Sequence, residues 1–472
     1  MKKWKLFLEE YKDLVKDNEL INTPLYEQEE WELIASKTEI EAYLSSENAV
    51  QISLSPNQKN SLAMKRFDVI KVPNQNAFVI NTGGSIWAVD FVPRRDKENI
   101  QYLAIGGYKS TDEQHLLGDD SNYHSLIQIW RYDGSPKVST PPKLDMCVLH
   151  EFGIITELKW CPLSSCDEEG KLGILAVVIG DGSVYILVIP HPNRVRQQRG
   201  LEEDNVIYLI IKKPRFVLKL PKTYNLCLSW CQGLLACGTL EGTIVVWDIS
   251  SSLRAQQPVL LAHIPEVGKA GIHSICWTSP LDRHFLLSTD MMGFVYVHDL
   301  RDPFLKHEVT RTRSMHVPLS GVGYHPEGFL YGDSEGNCRL NATFHSKKSI
   351  PMTYSGYGHI WSIDFCHFCQ KVASVSSTGI AVTRCCVDTT GKLIKNKNNR
   401  MGDVLYQLRY DNKIFHYLKT TQADLSSAKD YQNTLIDPVV SLNKIVWNPN
   451  EAAHKWVASG GKAGLCRLDI VK

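Results

Sequence analysis

An excess of charge of one sign is absent from this sequence. Among its 472 residues, 52 are Lys or Arg and 51 are Asp or Glu, which gives a formal net charge of +1. A protein that coats nucleic acid by itself carries a large positive excess. The chain as a whole is therefore not of that class, and any contact with nucleic acid has to come from local patches.

Long apolar runs and a regular cysteine framework are also missing. No run approaches the roughly 18 apolar residues of a membrane helix, and charges interrupt the first residues, MKKWKLFLEEYKDLVKD, so that no signal peptide is expected. The 13 cysteines are odd in number and lie mostly inside apolar strings, as do Cys227, Cys276 and Cys466. This cysteine usage indicates free, reduced, buried thiols in an intracellular protein. From the missing apolar runs we expect no contact with a membrane.

Patterns of catalysis and cofactor binding are scarce. Neither a phosphate-binding GxxxxGK(S/T) string nor a GxSxG nucleophile elbow occurs, and GGSIW at 83–87 precedes a strand pattern, which indicates a turn. The string CHFC at 366–369 has the spacing of a zinc-ligand pair, but it lies at the end of a strand pattern and no second CxxC lies at zinc-finger distance. We therefore predict no catalytic residue, no cofactor and no metal, in a chain that is not an enzyme.

Internal repeats are the strongest positive signal. Seven segments alternate apolar residues and end in an aromatic residue, usually followed by Pro: SIWAVDFVP, IITELKWCP, NLCLSWC, IHSICWTSP, LSGVGYHP, IWSIDFCHF and LNKIVWNP. Each is followed by a short strand pattern rich in small residues. In six repeats a glycine turn and a third strand come next, with the glycines at Gly182, Gly242, Gly293, Gly336, Gly379 and Gly464. The shorter spacings between aromatic markers, 41 and 47 residues, match the roughly 40–45 residues of one propeller blade.

The pattern predicts an all-β fold, a seven-bladed β-propeller with a short helical N-terminal extension. Residues 1–60 form the predicted extension and residues 61–472 the propeller, with insertions near 108–124, 191–222 and 388–442. The chain ends in the third strand of the last repeat. We expect a strand from residues 67–81 to pair beside 464–471 and close the ring, since an open array would leave an unpaired edge.

Two carboxylates recur at the same place in two repeats. Asp90 lies in IWAVDF and Asp364 in IWSIDF. Paired carboxylates can perform acid–base chemistry, but equivalent positions in different blades are usually well apart. We interpret both as structural or interface polar groups.

The N-terminal extension contains two predicted helical stretches. The first carries an apolar stripe on a charged peptide, formed by Trp4, Phe7, Leu8, Tyr11 and Leu14, and the second runs from about Glu27 to Ser36. Such a stripe can pack on the chain's own propeller or fill a groove on a partner, and amphipathicity alone does not choose between them.

Two stretches are locally basic and could neutralise phosphates without reading bases. One runs from Arg194 to Lys222, and the other contains Lys392, Lys395, Lys397 and Arg400 without an acidic residue among them. Solvated loops that keep the propeller soluble are the alternative interpretation.

Several strings are more specific than generic propeller patterns. They are INTGGSIWAVDFVP (80–93), YLAIGGY (102–108), IQIWRY (127–132), LGILAVVIGDGSVYILVIPHP (172–192) and WVASGGKAGLCRLDIV (456–471), and the third repeat ends its third strand in Trp247-Asp248. Across about residues 76–472 the chain resembles the WD-repeat subunit of transcription factor IIIC, the RNA polymerase III factor.

The resemblance implies a nuclear, non-enzymatic subunit in the half of the complex that binds the B-box of tRNA-type promoters. There it would pair with the large B-box-binding subunit and contact another propeller subunit. Members of that family carry long N-terminal extensions with basic segments, whereas about 75 residues precede the propeller here. A protein scaffold is therefore expected, with promoter DNA contacted only within the complex.

One alternative is a WD-repeat scaffold of another nuclear complex that holds a peptide on the propeller face. It would need an aromatic or acidic pocket at the central channel, and an exposed apolar patch at the channel rather than at the rim would favour it. A propeller hydrolase is a second alternative, and it would need convergent carboxylates or a metal at the axis, for which the sequence offers no set.

Overall fold

The computed structural model describes residues 2–17, 26–34, 36–44, 49–54, 61–94, 99–118, 123–136, 140–163, 170–268, 270–302, 306–325, 327–346, 348–356, 358–387, 402–421 and 436–471. All structural statements below concern these residues.

The N-terminal part contains helices and strands. In chain order it comprises α1 (Lys2–Asp17), β1 (Trp31–Leu33), α2 (Lys37–Tyr43), β2 (Val50–Ser53), β3 (Leu62–Met64), β4 (Val69–Lys71) and β5 (Ala77–Asn81). The expected helix from Glu27 to Ser36 was wrong. A short 3-10 turn, Gln28–Glu30, leads instead into β1, because Trp31 and Leu33 alternate with Glu32 and so suit a strand whose one face is covered.

The first four sheets of the ring follow in chain order. Sheet 1 contains β6 (Ile86–Phe91), β7 (Ile100–Gly107), β8 (Ser125–Asp133) and β9 (Lys143–His150). Sheet 2 contains β10 (Ile155–Trp160), β11 (Lys171–Ile179) and β12 (Val184–Pro190) and, beyond α3 (Pro192–Arg199) and β13 (Ile207–Ile211), β14 (Phe216–Leu218). Sheet 3 contains β15 (Asn225–Cys231), β16 (Leu234–Thr239), β17 (Ile244–Asp248) and, after α4 (Ile249–Ala255), β18 (Leu260–Ile264). Sheet 4 contains β19 (Ile272–Trp277), β20 (Phe285–Asp290), β21 (Phe294–Asp299) and β22 (Lys306–Arg311).

Three further sheets complete the arrangement. Sheet 5 contains β23 (Leu319–Gly321), β24 (Phe329–Gly332), β25 (Asn337–Asn341) and β26 (Ile350–Tyr354). Sheet 6 contains β27 (Ile360–Cys366), β28 (Lys371–Ser376), β29 (Ile380–Cys385), β30 (Asp403–Asp411) and β31 (Ile414–Leu418). Sheet 7 contains β32 (Leu442–Trp447), β33 (Trp456–Gly461) and β34 (Leu465–Ile470). Short 3-10 turns, Pro438–Val440 and Glu451–Ala453, flank β32.

The first strand of each sheet, the inner strand, contacts the inner strands of both neighbouring sheets. The contacts run from β6 through β10, β15, β19, β23, β27 and β32 and return to β6. This closed order is that of a β-propeller, and the prediction of an all-β propeller is confirmed.

The last sheet is closed by the N-terminal strand β5. It pairs antiparallel with β34, in a register from Leu465 opposite Asn81 to Asp469 opposite Ala77. This confirms the predicted pairing of residues 67–81 beside 464–471. Strand β4 pairs with the other side of β5, so the sheet runs in the order β32, β33, β34, β5 and β4. Because β32, β33 and β34 come from the C-terminal part of the chain, the pairing of β5 with β34 joins distant parts of the sequence through main-chain hydrogen bonds.

The N-terminal part also extends two other sheets, which the helical description of residues 1–60 did not anticipate. Strand β1 pairs antiparallel with β13, which lies parallel to β9 at the outer edge of sheet 1. Strand β2 lies parallel to β31 at the outer edge of sheet 6, and β3 follows it. Residues of the 191–222 and 388–442 insertions therefore supply strands to which the N-terminal part is attached.

Close packing at the ring explains the small residues of the second strands. A Cβ atom added to Gly107 would lie 2.0 Å from the main-chain oxygen of Ser85, and one added to Gly461 would lie 1.9 Å from that of Ser441. These are equivalent places in sheets 1 and 7, so each glycine lets a second strand pass the loop that leads into its inner strand.

The apolar core lies between adjacent sheets. Between sheets 7 and 1, Trp456 is 1% exposed and packs edge-on against Tyr132, with ring centroids 4.9 Å apart. The indole of Trp456 also donates to the main-chain oxygen of Gly134 over 2.8 Å. Burial of one large side chain of this kind contributes roughly 1.5–3 kcal/mol.

Candidate functional site: the central channel and its two mouths

The inner strands line a channel with a volume of about 630 Å³. In six of the seven inner strands the pairing register shifts after the first residue, a β-bulge. A bulge re-aims the extra residue of its strand, and the six residues concerned all line the channel: Trp87, Thr156, Leu226, His273, Trp361 and Asn443. We call the end where the inner strands begin the upper mouth and the end where they finish the lower mouth.

Charged side chains meet in the middle of the channel. The ammonium group of Lys159 lies 3.4 Å from the Asp90 carboxylate, and that of Lys444 lies 2.6 Å from Glu157. Asp364 is close enough to Lys159 and Asp90 for their charges to interact. The network therefore connects sheets 6, 7, 1 and 2.

Each aspartate also accepts a hydrogen bond from the main chain of the next sheet. Asp90 accepts from the Trp160 N–H over 2.8 Å and Asp364 from the Trp447 N–H over 2.7 Å. Burial raises the pKa of both carboxyl groups, and the charge of Lys159 opposes that shift. Both carboxylates therefore form structural contacts between sheets. The expectation that they lie well apart was wrong, because the inner strands bring equivalent positions close enough at the axis for their charges to interact.

The aromatic markers of the repeats also bind neighbouring sheets to each other. The indole N–H of Trp230 donates to the main-chain oxygen of Lys159, and that of Trp277 to the oxygen of Ser229, each over 3.1 Å. Each of these tryptophans thus lies at or near the end of its own inner strand and donates a hydrogen bond to the inner strand of the preceding sheet.

Helix α1 covers the lower mouth. The Trp4 indole donates to the main-chain oxygen of His367 over 2.9 Å, and the Phe7 ring, 6% exposed, lies 5.5 Å from the His367 ring between centroids. Tyr11 lines the channel, and burial raises its pKa to about 12. Leu14 packs at the core between sheets 2 and 3.

The predicted stripe on α1 thus contacts the chain's own propeller through Trp4, Phe7, Tyr11 and Leu14, and Leu8 is half-buried. Lys12 adds an ion pair of 2.6 Å with Glu451 in the turn after β32. Of the two alternatives left open by the sequence, the structure shows packing on the chain's own propeller.

Aromatic and histidine side chains surround the upper mouth. The Trp87 ring lies 5.3 Å from Tyr108 and 6.4 Å from Trp361, and Trp361 lies 4.2 Å from His316, between centroids. His316 in turn packs against His273 at 3.8 Å. Burial lowers the pKa of His273 to about 4 and that of His316 well below its usual value. These two imidazoles are therefore neutral at neutral pH.

Four of the eight basic residues between Arg194 and Lys222 form ion pairs within the chain. Arg196 is 7% exposed and pairs with buried Asp145, and Arg215 pairs with Glu30 over 2.6 Å. Lys212 and Lys219 form exposed pairs with Glu32 and Asp181. The pairs with Glu30 and Glu32 attach β1 and its preceding turn to the propeller. The other basic set, Lys392, Lys395, Lys397 and Arg400, lies outside the described residues.

The CHFC string lies at the turn between β27 and β28. The N–H of Cys369 donates to the sulfur of Cys366 over 3.3 Å, and the Cys366 thiol donates to the main-chain oxygen of His454 over 3.5 Å. Within the described part of the chain, no cluster of three or more His, Cys, Asp or Glu side chains could hold a metal ion.

Sequence reasoning missed Glu157, Lys159, Lys444, His273 and His316 as channel residues. The signal was present: aligned by their first residues, the inner strands place Lys159 with Asp90 and Asp364, and Glu157 with Lys444. Within a single repeat each of these positions is one isolated charge. Only a comparison between repeats shows that five charged residues, Asp90, Glu157, Lys159, Asp364 and Lys444, face the same axis.

No helix in the described ranges is long and apolar enough to span a membrane. No protein-family model matches the sequence. Two similar proteins are the transcription factor tau subunit sfc6 of Schizosaccharomyces pombe, 25% identical over 84% of this chain and 65% of its own length, and the human general transcription factor 3C polypeptide 2, 22% identical over 94% of this chain and 58% of its own length. The chain thus spans less than two thirds of the length of these relatives.

Proposed function

We propose that this chain, a homologue of transcription factor IIIC subunits, is a non-catalytic scaffold subunit of that RNA polymerase III general factor, located in the nucleus. It belongs to the B-box-binding part of the complex and holds the large B-box-binding subunit and another propeller subunit. The observation that carries this proposal is the similarity to both relatives over most of the chain.

We propose that each of the seven sheets forms one blade of a WD-type propeller. Closure of the ring by β5 and the charged network across the axis fit a rigid body that presents loops to partners. Partner subunits would then bind to loops and outer edges whose positions the ring fixes.

The non-catalytic role is supported by how the channel carboxylates are used. Asp90 and Asp364 accept main-chain N–H groups, and Glu157 pairs with Lys444 and accepts from the Leu228 N–H over 3.1 Å. A general base or nucleophile needs a lone pair directed at substrate. Here the carboxylates are engaged in linking one sheet to the next.

Promoter DNA is proposed to be contacted only within the complex, with Lys392, Lys395, Lys397 and Arg400 as the candidate phosphate-contacting residues. Near-zero net charge gives the isolated chain little long-range attraction to a polyanion. In the other basic segment, four of the eight basic residues between Arg194 and Lys222 already pair with carboxylates, which reduces the positive charge it offers to DNA.

Co-purification of the tagged full-length chain from its native cells tests the proposal. We expect the other transcription factor IIIC subunits to be recovered at equal stoichiometry, and the purified assembly to bind a tRNA-gene fragment that contains a B-box. Recovery of a different complex, or of the chain alone under conditions that keep transcription factor IIIC intact, would contradict it. A fragment with a mutated B-box is the control for specific binding.

A further inference from the structure

Two cysteines lie within one short turn at the lower mouth of the channel. The N–H of Gln370 donates to the main-chain oxygen of Cys366 over 2.8 Å, which closes a single turn of helical type between β27 and β28. Inside this turn the N–H of Cys369 donates to the Cys366 sulfur over 3.3 Å. Cα atoms three positions apart in a helical turn are about 5 Å apart, and a disulfide spans roughly 4.4–6.8 Å between Cα atoms. The turn therefore holds the two thiols at a separation that a disulfide can bridge while the strands stay in place.

The two thiols have different surroundings. Cys366 is 2% exposed and donates to the main-chain oxygen of His454 over 3.5 Å, whereas Cys369 is half-buried. The hydrogen bond with the Cys366 sulfur lowers the pKa of Cys369, burial opposes that shift, and the charge of Lys371 lowers the pKa further. Thiols that react are accessible and lie in such electropositive surroundings. An external disulfide therefore meets Cys369 first, with Cys366 directly behind it.

The other cysteines of the described part of the chain do not share this combination. Ten of the twelve are buried, and Cys369 and Cys385 are the two that are partly exposed. The Cys385 thiol donates to the main-chain oxygen of Val387 over 3.1 Å, at the end of β29. Buried thiols in apolar surroundings are inert. Cys385 is thus a partly exposed thiol outside the CxxC turn, and it provides a matched control.

Helix α1 packs on the two residues between the cysteines. The Trp4 indole donates to the main-chain oxygen of His367, and the Phe7 ring lies 5.5 Å from the His367 ring between centroids. The Tyr11 ring lies 6.1 Å from His367 and 6.4 Å from Phe368. A bond between the two sulfurs would close a ring of main chain that contains both residues on which the helix rests.

The second surface that receives α1 is connected to the same thiol. Lys12 of the helix pairs with Glu451 in the turn that precedes His454. The His454 ring lies 5.7 Å from Phe368 between centroids, and its main-chain oxygen accepts from the Cys366 thiol. A disulfide sulfur carries no hydrogen, so oxidation removes this donor, and it draws the two sulfurs together to about 2.05 Å. Oxidation therefore acts on both surfaces that α1 contacts.

We propose that Cys366 and Cys369 form a redox-active dithiol site, which a small disulfide such as glutathione disulfide oxidises, and that the resulting Cys366–Cys369 bond weakens the packing of α1 on the lower mouth. The Cys369 thiolate attacks one sulfur of glutathione disulfide, forms a mixed disulfide and releases one glutathione thiolate. Cys366 then gives up its proton to that thiolate and attacks the Cys369 sulfur, and the second glutathione leaves as a thiolate. Two cysteines are oxidised and one glutathione disulfide is reduced to two glutathione molecules. This site is separate from the scaffold role and does not depend on it.

Incubation of the folded full-length chain with glutathione disulfide tests the site. The remaining thiols are alkylated and the peptides are identified by mass spectrometry. We expect a Cys366–Cys369 disulfide that dithiothreitol reduces again. The variant Cys366→Ser blocks the second step, and glutathione should accumulate on Cys369 about tenfold or more faster than on Cys385 of the same molecule. The variant Cys385→Ser should form the disulfide as the wild type does.

Cleavage by trypsin after Lys12 measures the packing of α1. We expect this cleavage to be roughly three- to tenfold faster in the oxidised protein than in the reduced one, because proteolysis follows the population of the open form. The variant Cys369→Ser, treated with the same glutathione disulfide, should keep the rate of the reduced wild type. Melting curves of the reduced variants establish that each is folded.

Three results would overturn the site. They are full alkylation of both thiols after treatment with excess glutathione disulfide, a bond from Cys369 to Cys385 or Cys386 instead, and equal rates for Cys369 and Cys385 in the Cys366→Ser variant. A Cys366–Cys369 disulfide that leaves cleavage after Lys12 unchanged would overturn the proposed effect on α1.

Discussion

The indole N–H of Trp4 donates to the main-chain oxygen of His367 over 2.9 Å, which joins helix α1 to the turn after the inner strand of sheet 6. Substitution of both Trp4 and Tyr11 by Ala removes this bond and two half-buried rings. We expect the free energy of unfolding to fall by about 2–4 kcal/mol, below the sum for two fully buried aromatic side chains. Thermal unfolding measures the change.

Leu6 provides the control for that experiment, because it lies on the same helix and is 56% exposed. Leu6→Ala should leave the melting temperature within about a degree of the wild type. An unchanged melting temperature in the Trp4 and Tyr11 variant would show that α1 does not stabilise the propeller, and co-purification of partners with the same variant would then test the alternative role of the stripe as a partner contact.

Truncation separates the roles of the N-terminal elements. Deletion of residues 1–82 removes β5 from its pairing with β34 and β2 from sheet 6, and we expect an aggregated or unfolded product because two edges of the ring are left unpaired. Deletion of residues 2–17 alone should give a folded protein of lower melting temperature. A stable, soluble product from the longer deletion, with the circular dichroism of the intact chain, would contradict the proposed closure.

The charged network across the channel should depend on its lysines. Lys159→Met removes the positive charge that compensates the Asp90 and Asp364 carboxylates. We expect the free energy of unfolding to fall by roughly 2–3 kcal/mol, which is less than for a fully buried ion pair because the Lys159 side chain is 27% exposed. Adding Asp90→Asn should restore part of the stability. Chemical denaturation of the single and double variants measures the coupling, and strictly additive losses would mean that the two side chains do not interact.

Acid should destabilise the docked helix through His367. Burial lowers the pKa of this imidazole to about 4, whereas the unfolded value is 6.5. A depressed pKa in the folded state contributes stability that is present above about pH 6.5 and is lost as the pH falls toward 4, because the unfolded chain binds the proton more tightly. His367→Gln should therefore make the decline in stability across this window shallower, by up to one proton in the slope. An identical slope would contradict the assignment of a neutral His367.

The basic set that lies between β29 and β30 in the sequence is tested through the salt dependence of DNA binding. Substitution of Lys392, Lys395, Lys397 and Arg400 by Glu should weaken DNA binding by the assembled complex and reduce the slope of log affinity against log salt, roughly by one for each phosphate contact that is lost. An unchanged slope would leave these residues as solubilising groups. Substituting Arg199, Lys213 and Lys222 in the other basic segment provides a comparison of similar charge.

Repeats carried most of the information that could be predicted. The aromatic markers and the glycine turns were sufficient to predict a propeller, because each is a local pattern that indicates one kind of structure. The last repeat lacks a fourth strand in the sequence, and this was sufficient to predict the pairing of β5 with β34. The second N-terminal element was mistaken for a helix, since the apolar residues Trp31 and Ile34 are also compatible with helical spacing. Only its pairing with β13, a strand far along the sequence, decides that Trp31–Leu33 is extended.

The channel was harder to predict for a related reason. Lys159 and Asp90 lie 69 positions apart in the sequence and in different repeats, and nothing local marks them as neighbours. Whether the apolar stripe on α1 packs on its own chain likewise depends on the surface of the lower mouth, where the rings of Phe7 and Tyr11 pack against His367. That surface is formed by residues from distant repeats and cannot be predicted from the helix alone.

Attachment of β5 to β34 has a consequence for synthesis of the protein. The strand β5 is synthesised well before its partner β34, so it has to wait while residues 82–464, which lie between the two strands, are made. At about 5–20 residues per second, translation of the intervening sequence takes on the order of half a minute. Throughout that time β5, whose residues are all buried in the finished molecule, can pair with its local neighbour β4 but not with β34, and the edge that β34 will cover is open to non-native pairing.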